Sequence, residues 1–206
     1  LEYLPTGYTT STTFYYPSST PGANFPLAKV RTLTTASRVN TVNWAKNGSM
    51  LFAGTYTNKY LYGWETSGWT QKFLKTDLRH YTLTSAINAD DTKIVVGEDG
   101  GGIEIFDYNG VRIGDDRDDS SDVPGVDWIG NDLMAWVKGS GSVYDSIKTN
   151  GLYKVDEAGN YSQIQDYSSS STPRSRLHYR SDKNIFAFFT KNTIGSISKT
   201  FLRVHT

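Results

Sequence analysis

The feature that most constrains this chain is a four-fold internal repeat. Four short strand-like runs recur in order: Thr41-Val42-Asn43-Trp44, Ser85-Ala86-Ile87-Asn88, Gly125-Val126-Asp127-Trp128 and Arg176-Leu177-His178-Tyr179. Each is followed, after a polar turn, by a more apolar run: Leu51 to Gly54, Ile94 to Gly97, Leu133 to Trp136 and Ile185 to Phe188. A third run ends each unit, at Tyr60 to Glu65, Gly102 to Asp107, Gly151 to Asp156 and Thr200 to His205. With Trp44, Asn88, Trp128 and Tyr179 as equivalent positions, the spacings are 44, 40 and 51 residues. A period of this size with several strands per unit predicts a β-propeller.

Composition agrees. The chain has 206 residues, with 14 Tyr and 5 Trp, and strand and turn formers outweigh helix formers. Lys plus Arg equals Asp plus Glu at 21 each, so no long-range field draws the chain to nucleic acid or an anionic membrane. No apolar run approaches the roughly 20 residues of a membrane helix, so membrane insertion through a helix is not expected. The absence of cysteine excludes disulfides and thiolate zinc sites, and His80, His178 and His205 show no ligand spacing. Leu1 stands where an initiator methionine would, which leaves targeting undecided.

Residues 1–24 read differently from residues 25–206. Three prolines and a Ser/Thr tract argue against a sheet interior, whereas the aromatics argue against a free linker. The expectation is an extended docking arm using Tyr3, Phe14, Tyr15 and Tyr16, with a poorly ordered tail as the alternative. From residue 25 onward, four blades of four antiparallel strands are expected. Asn109-Gly110 marks a hairpin in the second unit, because both turn positions tolerate positive φ. The fourth unit ends at Thr206 without its last strand, and Leu27 to Leu33 is a strand-like alternation without a partner of its own. An N-terminal strand completing the last blade would close the ring and remove two open edges. A rival reading makes the chain part of a larger propeller.

The unit Val39-Asn40-Thr41-Val42-Asn43-Trp44-Ala45-Lys46-Asn47-Gly48-Ser49-Met50-Leu51-Phe52-Ala53-Gly54 resembles the tryptophan-aspartate (WD) and related surface-layer propeller repeats, over about residues 27–206. Trp64-Glu65, Phe106-Asp107, Val155-Asp156 and Val204-His205 stand as degenerate equivalents of the family's Trp-Asp pair. No Gly-His pair precedes the units, so the hydrogen-bonded tetrad of eukaryotic members is not implied. The resemblance implies a rigid binding platform, although some relatives are enzymes. The Tyr/Ser/Thr-rich style is similar to propeller repeats of phage virion proteins.

In a propeller, the d–a and b–c connections share one face around the channel mouth, and variable loops on a rigid scaffold are where function concentrates. Arg38, Lys75, Arg79, His80, Arg174 and Arg176 fall in d–a connections and would give a mouth of mixed sign. Such a mouth suits an anionic sugar or a complementary protein surface. Arg38, Arg79, Arg174 and Arg176, with Tyr144 in the insertion at residues 139–150, are the candidate partner-binding residues. Asp116, Asp118, Ser120 and Asp122 alternate like calcium-loop ligands, with Asp127 at the twelfth position, but Ser121 stands where that loop needs glycine. A solvated acidic turn is the plainer account of the same residues. Glu98-Asp99-Gly100-Gly101-Gly102 lacks the lysine and helix of a phosphate loop and reads as a b–c turn. Asn47-Gly48-Ser49 and Asn160-Tyr161-Ser162 match the glycosylation sequon but are explained by turn chemistry.

The expectation is a non-enzymatic structural or attachment propeller of a virion or microbial surface, acting as a protein-interaction platform in a larger assembly. One alternative is a carbohydrate-binding propeller using Tyr144, Trp69 and the charged mouth. Another is a glycan hydrolase or lyase using Asp99 and Asp116 as a carboxylate pair. No cofactor is expected apart from the calcium ion that Asp116, Asp118, Asp122 and Asp127 would hold.

Overall fold

The computed structural model describes residues 11–16, 28–100, 102–115, 122–138, 151–166, 171–173, 177–180, 185–194 and 197–205. The regular structure described is all β. The first blade is β3 (Val39–Trp44), β4 (Met50–Thr55), β5 (Leu61–Glu65) and β6 (Thr70–Lys75), and the N-terminal pair is β1 (Ser11–Tyr16) and β2 (Ala28–Thr34). The second blade is β7 (Tyr81–Ile87), β8 (Lys93–Asp99), β9 (Ile103–Asp107) and β10 (Arg112–Asp115). The third is β11 (Asp122–Ile129), β12 (Asp132–Lys138), β13 (Gly151–Val155) and β14 (Tyr161–Asp166). Each of the three is a four-stranded antiparallel meander in chain order, as the repeat predicts.

The fourth sheet departs from that plan. The hairpin β17 (Ile185–Ile194) and β18 (Ile197–His205) is long, with Phe186 to Ile194 paired to His205 to Ile197 without a break. The other edge of β17 is shared by two short pieces, β16 (His178–Arg180) and β15 (Ser171–Pro173). Residues 171–173, 191–194 and 197–199 thus stand in strand, where a regular unit would place its connections. Thr190, Thr193 and Ile194 continue the β-favouring composition past Phe188 and carry the ladder on.

Ring closure by the N-terminal strand is corrected by the register. Arg31 lies opposite Phe14 and Lys29 opposite Tyr15, so β2 pairs with β1 rather than with β18. The proline-flanked tract itself supplies a local partner for β2. Ser11-Thr12-Thr13-Phe14-Tyr15-Tyr16 is rich in β-branched and aromatic residues, and a hairpin costs less loop entropy than a closure from the far end of the chain. The aromatics Phe14, Tyr15 and Tyr16 thus stand in a hairpin strand, and Tyr3 lies outside the described residues. Leu33 of β2 is buried on the outer face of the first blade beside Leu51, Ala53, Tyr62 and Trp64, and the Tyr62 hydroxyl accepts the Ala36 N–H at 2.9 Å.

The core lies between blades. β4, β5, β8 and β9 are buried on both faces, as strands sandwiched between neighbouring sheets must be. Alternation decides which neighbour each side chain meets. Ile94 and Val96 join Met50, Phe52, Leu61, Phe73 and Phe106 in the seam between the first two blades. Val95 faces the other way, into a cluster with Val123, Val126, Leu133 and Tyr153 of the third blade. The innermost strands β3, β7, β11 and β16 pack in succession. Asn43, Thr84, Ser85, Val126, Asp127 and Leu177, drawn from all four units, line an axial cavity of about 50 Å³.

Glycine is required where blades approach most closely. A Cβ on Gly97 would lie 2.4 Å from the Val123 carbonyl oxygen and 2.6 Å from Thr84 Cγ2. Because the first obstacle is backbone, a rotamer change cannot relieve it. Gly97→Ala is expected to lower stability by about 2–3 kcal/mol by forcing the second and third blades apart. Urea titration followed by tryptophan fluorescence measures the loss.

The acidic half of the degenerate Trp-Asp pair has a turn role. Asp107 Oδ1 accepts the Asn109 and Val111 N–H groups, each at 2.8 Å. Asp156 Oδ1 does the same for Ala158 and Asn160, each at 2.9 Å, and the added Asn160 side-chain bond leads the effects that hold the Asp156 carboxyl below the usual range. Gly110 and Gly159 then take the left-handed conformation at φ 81° and 89°. In the first blade that residue is Trp69, φ 54°. Asn47, too, serves its own turn, its Oδ1 accepting the Ser49 N–H at 2.8 Å.

Candidate functional site

The described residues bring the mouth together at the first two blades. Three connections meet there: residues 35–38 before β3, residues 56–60 between β4 and β5, and residues 76–80 between β6 and β7. The Tyr56 N–H donates to the Arg38 carbonyl at 2.9 Å, and Asn58 Nδ2 donates to the Ala36 carbonyl at 3.4 Å. Lys59 Nζ donates to the Arg79 carbonyl at 2.7 Å, tying the second connection to the third. Lys59 holds a left-handed backbone, φ 57°, a conformation that costs a non-glycine residue and persists only where its surroundings impose it.

At the centre stand two tyrosines. The Tyr56 and Tyr81 rings lie 4.6 Å apart at 32°. The Arg38 guanidinium sits 4.7 Å from the Tyr56 ring centre, and Lys59 Nζ sits 5.6 Å from that of Tyr81. Two cations thus bracket an aromatic pair, each attracted to the negative face of a ring. Among the described residues neither cation has a carboxylate within ion-pair distance.

Arg79 is placed differently. Its guanidinium pairs with Asp115 and its backbone N–H donates to Glu104 Oε1 at 2.8 Å. Arg112 Nε donates to Glu104 Oε2 at 2.5 Å, and Arg112 also donates to the Asp77 carbonyl at 2.8 Å. Glu104 is completely buried, with both oxygens satisfied. Glu98 is also completely buried, yet neither of its oxygens has a hydrogen-bond partner of normal geometry. Burial first, and then the Glu104 charge beside it, pushes the Glu98 carboxyl up to about 9, against the opposing pull of the His80 backbone amide and Arg79.

The remaining expected site residues fall as follows. Arg38, Arg79 and His80 are in mouth connections, while Lys75 closes β6 in a 3.3 Å ion pair with Asp77. Tyr144, Arg174, Arg176, Asp116 and Asp118 lie outside the described residues. Asp122 and Asp127 both belong to β11, opposite Lys138 and Met134. Among the described residues no group of three or more His, Asp or Glu gathers to hold a metal.

Trp69 is corrected. It lies in the β5–β6 turn at the end of the blade opposite the mouth, edge-on to Trp44 at 6.0 Å. That turn packs on the β3–β4 turn, with the Thr66 N–H donating to the Ser49 carbonyl at 2.9 Å, so it shares no surface with the mouth. Glu98 belongs to β8 rather than to a turn, and Asp99 ends that strand opposite Tyr81.

Four participants escaped the sequence reading: Tyr56, Lys59, Tyr81 and Glu104. The legible sign for Glu104 was a carboxylate inside the strand Ile103-Glu104-Ile105-Phe106, where every neighbour is apolar. Nothing local distinguishes Tyr56 and Tyr81 from the other tyrosines, because only adjacency of blades stacks them.

No protein-family model and no curated protein sequence matches the chain. Solved structures do. A chain of Kuenenia stuttgartiensis hydrazine synthase superposes with a TM-score of 0.71 at 12% identity, covering 95% of this chain and 56% of that one. The β-propeller domain of Myceliophteria thermophila Cps50 (Swd1) gives 0.57 at 10% identity, covering 74% of this chain and 49% of that one. A chain of the mitotic checkpoint complex gives 0.62 at 18% identity, covering 86% and 53%. This chain spans about half the length of each. Antiparallel four-stranded blades packed in succession, and these likenesses, make the fold that of a β-propeller.

Proposed function

We propose that this chain is a non-enzymatic protein-interaction platform, a structural or attachment propeller of a virion or microbial surface assembly, which engages its partner at the mouth of the first two blades. The observation that carries the reading is the bracketed tyrosine pair, Arg38–Tyr56–Tyr81–Lys59. Aromatic rings and arginine supply much of the binding energy of protein interfaces. Here they are fixed by three connections cross-bonded through backbone groups, so little entropy remains to be lost on binding. Two cations that have no ion-pair partner among the described residues favour a partner surface bearing carboxylates. The solved structures of similar fold include a propeller domain and a chain of a multiprotein complex, which agrees with a platform role.

The test is cross-linking mass spectrometry on the native assembly, comparing the wild-type chain with an Arg38→Glu/Lys59→Glu double variant. Reversing both charges is expected to remove partner cross-links from the mouth and to weaken association at least tenfold. Unchanged cross-links, or cross-links confined to the Trp69 face, would refute the reading.

A further inference from the structure

We infer that Glu98 and Glu104 share one proton across the seam of the first two blades, forming a buried acid–carboxylate latch that holds the mouth connections in place and lets them go when the proton leaves. What such a release would control rests on the reading of the mouth as the partner site, but the latch itself does not.

The geometry starts from the ladder. Val96 lies opposite Glu104, and Glu98 follows Val96 by two residues. Residues two apart on a strand share a face, so the two carboxyl groups are diagonal neighbours on the side of the sheet that meets the first blade. Thr82 stands directly opposite Glu98 on β7, and its Oγ1 is likewise buried without a hydrogen-bond partner. Two ionised carboxylates at such a buried site would repel strongly.

The donors decide which one is neutral. Glu104 receives the Arg79 backbone N–H and the Arg112 Nε–H, both of which favour a charged acceptor. Glu98 receives no donor of normal geometry. The proton therefore resides on Glu98 and points at a remaining lone pair of Glu104. The other ionisable or charged groups nearby are Lys59 from the β4–β5 connection, Asp77, Arg79 and His80 from the β6–β7 connection, Asp99 at the end of β8, and Arg112 and Asp115 on β10. Arg79 and Arg112 are already engaged by Asp115, Asp77 and Glu104, so neither serves Glu98 as a dedicated counter-ion.

The sign follows from linkage. In the unfolded chain the carboxyl ionises near its model value of 4.5, and in the folded chain it keeps its proton until about pH 9. Between those limits unfolding releases one proton, so this group weakens the fold as pH rises, by about tenfold in the unfolding constant per pH unit. Below the lower limit it contributes no penalty, and above the upper limit the folded chain must carry the charge. Expelling that charge displaces Glu104 and with it the Arg79 amide, which belongs to the mouth.

The experiment is urea unfolding of the full chain from pH 5 to 10, wild type against Glu98→Gln. The wild-type unfolding constant is expected to climb relative to the variant by about tenfold per unit, levelling off near pH 9. Parallel curves would overturn the proposal. Carboxyl-carbon NMR of the wild-type chain is the second measurement, needed if Glu98→Gln does not fold. It should show one glutamate resonance titrating above pH 8, and its absence would equally overturn the latch. Addition of calcium or sodium chloride against choline chloride at fixed ionic strength identifies a competitor. An ion-specific rise in the wild-type midpoint, lost in Glu98→Gln, would assign a cation to the site and refute the shared proton. Titration of Glu98 without any pH effect on partner cross-links would keep the latch and refute its link to the mouth.

Discussion

Phe52→Ala is expected to remove about 3–5 kcal/mol of stability, the cost of truncating a fully buried aromatic ring and leaving a cavity. Phe52 is completely buried in β4, in the cluster with Met50, Leu61, Phe73, Ile94, Val96 and Phe106. That cluster is the adhesive between the first two blades, so the loss falls on blade–blade packing and not on a single sheet. Strands on both sides are pinned by full ladders and cannot collapse into the space, which places the cost toward the upper end. Urea unfolding gives the number, and binding of a small apolar probe such as benzene, which restores part of the loss, would identify the cavity. A loss below about 1 kcal/mol would mean that the seam is not packed as described.

Glu104→Ala is expected to cost a similar amount, about 3–5 kcal/mol, by a different route. The substitution leaves the Arg112 guanidinium and the Arg79 amide without their acceptor, and breaking one side of a buried ionic network costs more than the intact pair contributes. Glu104→Gln keeps an acceptor of the same shape and should lose less than half as much. Equal losses for the two variants would show that volume and not hydrogen bonding is at stake. Because the Glu104 charge is one cause of the raised Glu98 titration, both variants should also lower that titration, so that the fall in stability with pH levels off at lower pH than in the wild type. A stability curve against pH for each variant separates that effect from the loss at neutral pH.

The blades were legible because their causes are local. A polar turn followed by an apolar run encodes each hairpin, so Trp44 faces Leu51 and Trp128 faces Leu133 as the repeat implied. The one slip within the repeat is instructive. Ile87, not Asn88, is the equivalent of Trp44, and Asn88 instead accepts the Thr92 and Lys93 N–H groups at 2.8 and 2.9 Å to close its turn. Periodicity alone does not separate the last strand position from the first turn position, so a polar residue at a strand end reads as strand.

The site was legible only in part. Arg38 and Arg79 were found because d–a connections could be located, but their roles could not. Both are arginines in mouth loops, yet one lies on a tyrosine ring and the other is bound to Asp115. Trp69, grouped with the charged mouth in the carbohydrate-binding alternative, stands in the β5–β6 turn at the other end of its blade, because residue type alone does not tell which end of a hairpin a side chain occupies.

The amino-acid sequence by itself determined the strands and turns of the three regular blades, since each depends on residues within a few positions of one another. Tertiary structure alone decided that β2 pairs with β1, that Tyr56 stacks on Tyr81 and that Glu98 is enclosed beside Glu104. Those outcomes depend on which surfaces the blades press together, and burial, the cause of every one of them, is a property of the neighbours and not of the residue.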